Sequence, residues 1–364
     1  MPNLLKEMTM SDLELITKPD AAMALKRMEH WWEREIIGRP AIQVTAPRTE
    51  RKALPQSKHA SQRDRWMDID FTLQVASTQI ENTYYAGEAM PIFWSNLGPE
   101  ILSTAYGAEL EFGPDTSWSI PCLKDYSVVD DLSFSTDNVY FDTVLEATRR
   151  ALLEGQGKYL VGITDLHPGA DLAASLRDPQ QLCLDLLDAP EDLARLLAVT
   201  YSAFFEAYAV QEKIIKDAGQ ETATSWLGVY SRGRCYIPSC DFSAMISPRA
   251  FNKFFLPEIL DEIDWLDRSI YHLDGPAAVR HLDTLLEIPN LDAIQFVQGA
   301  GRKASSFMEV YQKIQKHGKS LHVSVDSDEV DTFIDALSPD GVMLSTWAAS
   351  EEEADFIVNK TLKW

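Results

Sequence analysis

Basic residues are scarce in this chain: 33 lysines and arginines stand against 56 aspartates and glutamates, for a formal net charge of -23. A field of that sign repels phosphate backbones and anionic lipid. No basic run with interleaved aromatics offsets it, so neither nucleic acid nor a membrane surface is an expected partner, while a locally basic pocket for a small anion stays open. Cysteine is scarce too. Cys122, Cys183, Cys235 and Cys240 form no Cys-x-x-Cys pair and are too few for a disulfide framework in 364 residues. Cys235 and Cys240 flank Tyr236-Ile237-Pro238 at a spacing that matches no metal motif, and they read as inert buried thiols. No stretch nears the ~18 apolar residues of a membrane helix. Met1 to Leu15, with Lys6, Glu7, Asp12 and Glu14, has no apolar core of a secretory signal, so the expected location is cytoplasmic. Nor does a repeat, a low-complexity segment or a Pro/Gly/Ser-rich linker divide the chain, which points to one domain over residues 1–364.

What is present is an ordinary globular composition, 45% hydrophobic and 24% charged, in a chain long enough to bury a large core. Short β-rich runs alternate with longer amphipathic stretches, the pattern of βα units around a parallel sheet. The expected strands are Ala41–Thr45, Pro91–Ser95, Tyr159–Thr164, Thr224–Val229, Ser269–Leu273, Asp292–Val297, Ser320–Val325 and Val342–Thr346. Eight is the number that closes a (β/α)8 TIM barrel, the expected α/β fold. Val279–Glu287 and Phe307–His317 read as crossover helices, the second stopped by Gly318 at its C′ position. Pro190–Ala218 carries Leu193, Leu196, Leu197, Tyr201 and Phe204 at helical spacing, opened by Asp188 or Pro190. Arg48–Met90, with a helix over Arg63–Tyr85, and the aromatic, Pro-rich stretch Leu97–Asp137, with a small hairpin, are read as N-terminal insertions over the barrel mouth.

Barrel chemistry sits where strands end. His272 and Asp274, two apart on one strand, share a face. Such a pair holds a metal or orients a proton-transfer imidazole; the bland alternative is a polar pair closing the turn at Gly275-Pro276. Asp165 and His167 repeat that spacing, whereas Asp171 is assigned to capping the helix that begins at Leu172. Gln295 and His322 lie on the next strands. Trp94, Trp118, Trp226, Tyr230 and Trp347 are candidates for a flat-ligand pocket, with core packing the competing role of each. Gly299-Ala300-Gly301 reads as an ordinary βα turn rather than a phosphate cradle.

The run Cys240-Asp241-Phe242-Ser243-Ala244-Met245-Ile246-Ser247-Pro248, with Phe251, Phe254 and Pro257 after it, resembles a signature of the uroporphyrinogen decarboxylase and corrinoid-dependent methyltransferase superfamily. Tyr271-His272-Leu273-Asp274-Gly275 resembles the strand that follows. Asp165 through Asp171, Leu176-Arg177-Asp178-Pro179 and Asp185 through Glu191 are similar to the middle segment. Gly341 through Thr346 with Ser350 through Ala354 is similar to the C-terminal end. The resemblance spans the whole chain, is strongest after residue 155, and rests on order and spacing rather than on one motif.

It implies a barrel enzyme with one of two chemistries. The methyltransferases hold zinc with a His-x-Cys pair and a later Cys. Those positions here are His272-Leu273-Asp274 and Ala348, which implies an atypical zinc site on His272 and Asp274, or none. The decarboxylases hold substrate carboxylates with an Arg-rich loop after the first strand. This chain has Ala46-Pro47-Arg48-Thr49-Glu50-Arg51-Lys52 there, keeping part of the basic character without the motif. The expected function is methyl transfer on a small molecule or a corrinoid-bound methyl group, with a corrinoid protein as candidate partner. A carboxy-lyase and a non-catalytic ligand-binding barrel are the alternatives. Expected catalytic residues are His272, Asp274, Asp165 and His167; expected binding residues are Arg48, Trp226, Tyr230, Gln295, His322 and Trp347.

Overall fold

The computed structural model describes residues 13–220, 223 and 226–364. It is an α/β structure with eleven strands: β1 (Ala41–Pro47), β2 (Thr83–Gly87), β3 (Ile92–Trp94), β4 (Glu109–Phe112), β5 (Ser117–Ile120), β6 (Leu160–Gly162), β7 (Cys235–Tyr236), β8 (Arg268–Asp274), β9 (Ala293–Val297), β10 (Ser320–Ser324) and β11 (Val342–Trp347). Seven pair in the order β2-β1-β11-β10-β9-β8-β7, all parallel except β2, which runs antiparallel along β1. β3 and β6 make a separate parallel pair. The expected hairpin is β4–β5.

Strand alternation sorts the side chains onto two faces. One face carries Ile42, Val44, Tyr271, Leu273, Ile294, Phe296, Leu321, Val323, Val342 and Leu344 into the largest apolar cluster, which includes the surrounding helices. The other carries Ala41, Cys235, Ile237, Ile270, Ala293 and Met343 into a cluster plugged by Trp31 and Trp32. Both tryptophans come from the helix Ala21–Trp32. Their indole N–H groups donate to the carbonyls of Gly341 at 2.9 Å and Tyr230 at 3.0 Å, as buried indoles need.

Four expectations need correction. Thr224–Val229 contributes no ladder. Thr224 and Ser225 lie outside the described residues, and Trp226 and Leu227 form a turn. Gly228 takes φ +63, which suits glycine, and the carbonyls of Leu227 and Gly228 accept from the Gln43 side chain instead of a strand. The place beside β8 is taken by Cys235–Tyr236. The helix expected over Arg63–Tyr85 breaks at Asp68, whose extended backbone and carboxylate cap the Phe71 N–H; its last residues become β2. Pro190–Ala218 is two helices, Pro190–Thr200 and Ala203–Asp217. Pro190 occupies the first turn, no side chain caps it, and Asp188 ends the preceding helix. That run is long and apolar enough to cross a membrane by composition, contrary to the sequence reading, yet Leu193, Leu196, Phe204 and Tyr208 pack in the main core. The helix Met308–Lys316 does end as expected, at His317 with Gly318 at φ +80.

Candidate active site

The polar cluster is built where β6, β7 and β8 end. Beyond β6, the Thr164 hydroxyl donates to the Ser95 carbonyl at 2.5 Å. The Tyr236 hydroxyl accepts from the Leu166 N–H and donates to the Thr164 carbonyl. Those bonds pin Leu166 into the core and set Asp165 and His167 on either side of it. The helix Gly169–Arg177 then places Asp171 one turn beyond His167. Asp171 does not cap that helix. Its carboxylate accepts the N–H groups of Asp241 and Phe242 at 2.9 and 2.8 Å, so it caps the 3-10 turn Asp241–Met245 and fixes Asp241 in the site.

His167 sits among three carboxylates. Nε2 is 3.3 Å from Asp165, and Nδ1 is 3.7 Å from Asp171 and 3.8 Å from Asp241. Burial works against its charge, but hydrogen bonding and attraction from Asp165 and Asp171 prevail and hold its pKa well above the ordinary value. The surrounding carboxylates therefore favour its imidazolium form. Asp241 is pushed up to about 6, first by burial and then by the Asp171 charge, with His167 and His272 pulling it back. A carboxyl poised there is suited to exchanging protons near neutrality.

His272 faces this group from β8. Its Nδ1 is 2.7 Å from Oε1 of Gln295 on β9, which accepts from it. That leaves Nε2 directed to Asp241 at 3.9 Å. Trp226 meets the His272 ring edge-on, with centroids 5.0 Å apart, and donates its indole N–H to Asp165 at 3.2 Å. Asp274 is exposed and acts on Asp241 through its charge. His322 pairs in register with Gln295. Its Nε2 lies 3.0 Å from Oε1 of Gln43, whose amide N–H group donates to backbone carbonyls. Nε2 is thus the protonated nitrogen, Nδ1 is a buried acceptor without a partner, and burial lowers the pKa to about 4.

Three expected binding residues stand apart. Tyr230 is buried beside Met28 of the N-terminal helix. Arg48 donates to the Thr17 carbonyl and lies over the Tyr84 ring. Trp347, 61% exposed, lines a cavity of about 280 Å³ with Thr45, Leu54 and Arg51 at the ends of β1 and β11. Asp241, Asp171 and Gln43 are the members that sequence reasoning missed. Reading Cys235–Tyr236 as the strand would have exposed Asp241 as a strand-end acid. Glu258 and Glu262, one helical turn apart, were missed as well: both are buried, each with one carboxyl oxygen lacking a partner. Burial raises Glu258 to about 8 and Glu262 well above its usual value.

The zinc that the resemblance implies does not fit the residues at its expected place. Ala348 is a buried methyl whose N–H donates to the Thr45 carbonyl, and among the described residues Asp274 joins no set of three ligand atoms. Among the described residues, the three ligand atoms that lie within 4.8 Å of one another belong to His167, Asp171 and Asp241. A cavity of about 560 Å³ lies at the opposite, N-terminal ends of the strands. There Arg232 pairs with Glu29, Arg268 pairs with Glu33, and the His30 ring bonds Glu35.

No family model and no curated protein matches the chain in sequence. Among solved structures, a methyltransferase from Methanosarcina mazei superposes with a TM-score of 0.60 at 12% identity, covering 93% of this chain and 98% of that one. A HpcH/Hpal aldolase/citrate lyase family protein from Burkholderia cenocepacia covers 43% of this chain at 13% identity, with a TM-score of 0.23 too low to carry any argument. The chain thus has a fold similar, over almost its whole length, to that of an archaeal methyltransferase.

Proposed function

We propose that the chain is one (β/α)8-barrel domain and a methyltransferase, with its active site at Asp165, His167, Trp226, Asp241 and His272. The barrel reading is supported by six parallel strands joined edge to edge, β1 and β7–β11, and by the separate parallel pair β3–β6, eight strands in all. It is supported further by a second apolar face gathered around Trp31 and Trp32, as the layered interior of a barrel requires. The chemistry sits on the strand C-termini, where barrels build their sites.

The observation that carries methyl transfer over decarboxylation is the charge of the cluster. Among the described residues, no Lys or Arg forms an ion pair with Asp165, Asp171, Asp241 or Asp274. Arg48, the candidate carboxylate holder, is turned to Thr17 and Tyr84. A polycarboxylate substrate would meet these carboxylates with no Lys or Arg paired to them to offset its charge. In methyl transfer, His272, oriented by Gln295, serves as the base toward the acceptor, and Asp241 exchanges the proton. A corrinoid protein as methyl carrier belongs to this reading. Methylcobalamin or an N-methyl donor, offered with a thiol acceptor, should yield S-methylated thiol. His272→Ala should lower the rate by about 10²-fold or more, the contribution of a general base. Carbon dioxide release from a carboxylated substrate, with no methylated thiol from any donor, would sink the proposal.

A further inference from the structure

Asp165, Asp171 and Asp241 surround the two nitrogens of His167, and Asp241 lies near His272 as well. Among the described residues no Lys or Arg pairs with these three carboxylates or with Asp274, whose charge acts on Asp241. The site therefore keeps an excess of negative charge at low solvent exposure, where like charges repel strongly.

A second observation is independent of the acids. Ser239 pairs with His272 in a parallel bridge, so the two side chains lie on the same face. Ser239 is 5% exposed and its hydroxyl has no partner. Two strands further on, His322, 1% exposed, presents the unpartnered Nδ1. Ser239, His272, Gln295 and His322 thus form one polar row in register across β8, β9, β10 and the segment after β7. Buried polar atoms left unbonded are costly, and a ligand that carries a hydroxyl and enters over this row would bond them.

The geometry points to a small organic cation carrying N- or S-methyl groups as the ligand, seated between Asp241, Asp274 and the Trp226 indole, with Ser239 at its base. This rests on reading the cluster as the active site. Trp is the best aromatic partner of an onium head, and its N–H is already spent on Asp165. An inorganic divalent ion suits the cluster less well. Each Asp171 oxygen already accepts a backbone N–H, and His167 would have to leave its carboxylate partners and give up its protons. Transfer from such a donor balances: the thiolate sulfur forms a bond to the methyl carbon. The carbon–nitrogen or carbon–sulfur bond breaks, its electron pair stays on the leaving atom, and a neutral amine or thioether departs.

Calorimetric titration of the EDTA-treated protein with choline, with its neutral isostere 3,3-dimethylbutan-1-ol, and with zinc or magnesium chloride separates the possibilities. Choline should bind at least about 10-fold more tightly than the isostere, a difference of about 1.4 kcal/mol. Asp241→Asn should weaken choline several-fold. Asp274→Asn, at an exposed position, should also weaken it, and its unchanged melting temperature would show that folding is intact. Equal affinity for the isostere, or binding of the divalent ion alone, would overturn the inference. Choline binding without methyl transfer would uphold the cation site and sink the methyltransferase reading. Methyl transfer that depends on His272 in a protein indifferent to choline would do the reverse.

Discussion

Replacing Asp165 with Asn keeps the shape of the side chain and removes the carboxylate 3.3 Å from His167 Nε2. Two unit charges at that separation interact by roughly 5 kcal/mol at an effective dielectric of 20, and by about 1.3 kcal/mol in bulk water. The side chains are 12% and 17% exposed, so the true value lies between those limits. Because Asp165 is one of the groups that hold it up, the His167 pKa should fall in the variant. Asp171 and Asp241 remain near Nδ1 and keep it from falling further. Imidazole NMR titration, with His167 assigned through His167→Gln, reads the change directly. A second consequence follows for stability. Because the folded pKa is raised, wild-type His167 contributes stability that is present below its unfolded value near 6.5 and is lost as pH rises through the folded value. Asp165→Asn should therefore cost more stability at pH 6 than at pH 9. A His167 pKa unchanged in the variant would refute the assignment of His167 as an imidazolium held by Asp165.

Trp31→Ala empties the plug of the second apolar cluster and removes the donor to Gly341; chemical denaturation should show a loss of about 3–5 kcal/mol. Glu258 has a folded pKa raised to about 8 against an ordinary value near 4.3, so its contribution to stability is present below the unfolded value and lost as pH climbs toward 8. Glu258→Gln should flatten that decline between pH 5 and 8, read by melting temperature against pH, and an unchanged slope would contradict the assignment. Burial pushes the Cys235 and Cys240 thiols well above their ordinary range, so iodoacetamide on native protein should label exposed Cys122 and spare those two, as mass spectrometry would show.

The strands after residue 268 were legible because each is a β-rich run flanked by turn residues, and β8 to β11 fall within one or two residues of expectation. Asp165 with His167, and His272 and Gln295 singly, were legible for the same reason: once strand ends are known, polar residues there are marked by position alone. The expected partner of His272 was Asp274, whereas its Nδ1 bonds Gln295 on the neighbouring strand. Thr224–Val229 misled because its β-branched and aromatic residues fit a strand by propensity, while Gly228 at positive φ and the Gln43 amide that claims its carbonyl are set by tertiary contacts. That error concealed Asp241. The real strand is two residues long, too short to show alternation, and Asp241 gains its place through the carboxylate of Asp171, 70 residues away in sequence. Arg48 was assigned by its place after β1; where its long side chain goes, to Thr17 and Tyr84, is invisible to spacing.

A crystal structure of the protein soaked with an N-methylated donor tests the central claim most directly. Density for the donor bounded by Asp165, Trp226, Asp241 and His272, lost in Trp226→Ala, is the predicted result. Density instead in the cavity at the N-terminal strand ends, among Trp32, Glu33, Arg232 and Arg268, with the cluster around His167 unoccupied, would contradict it.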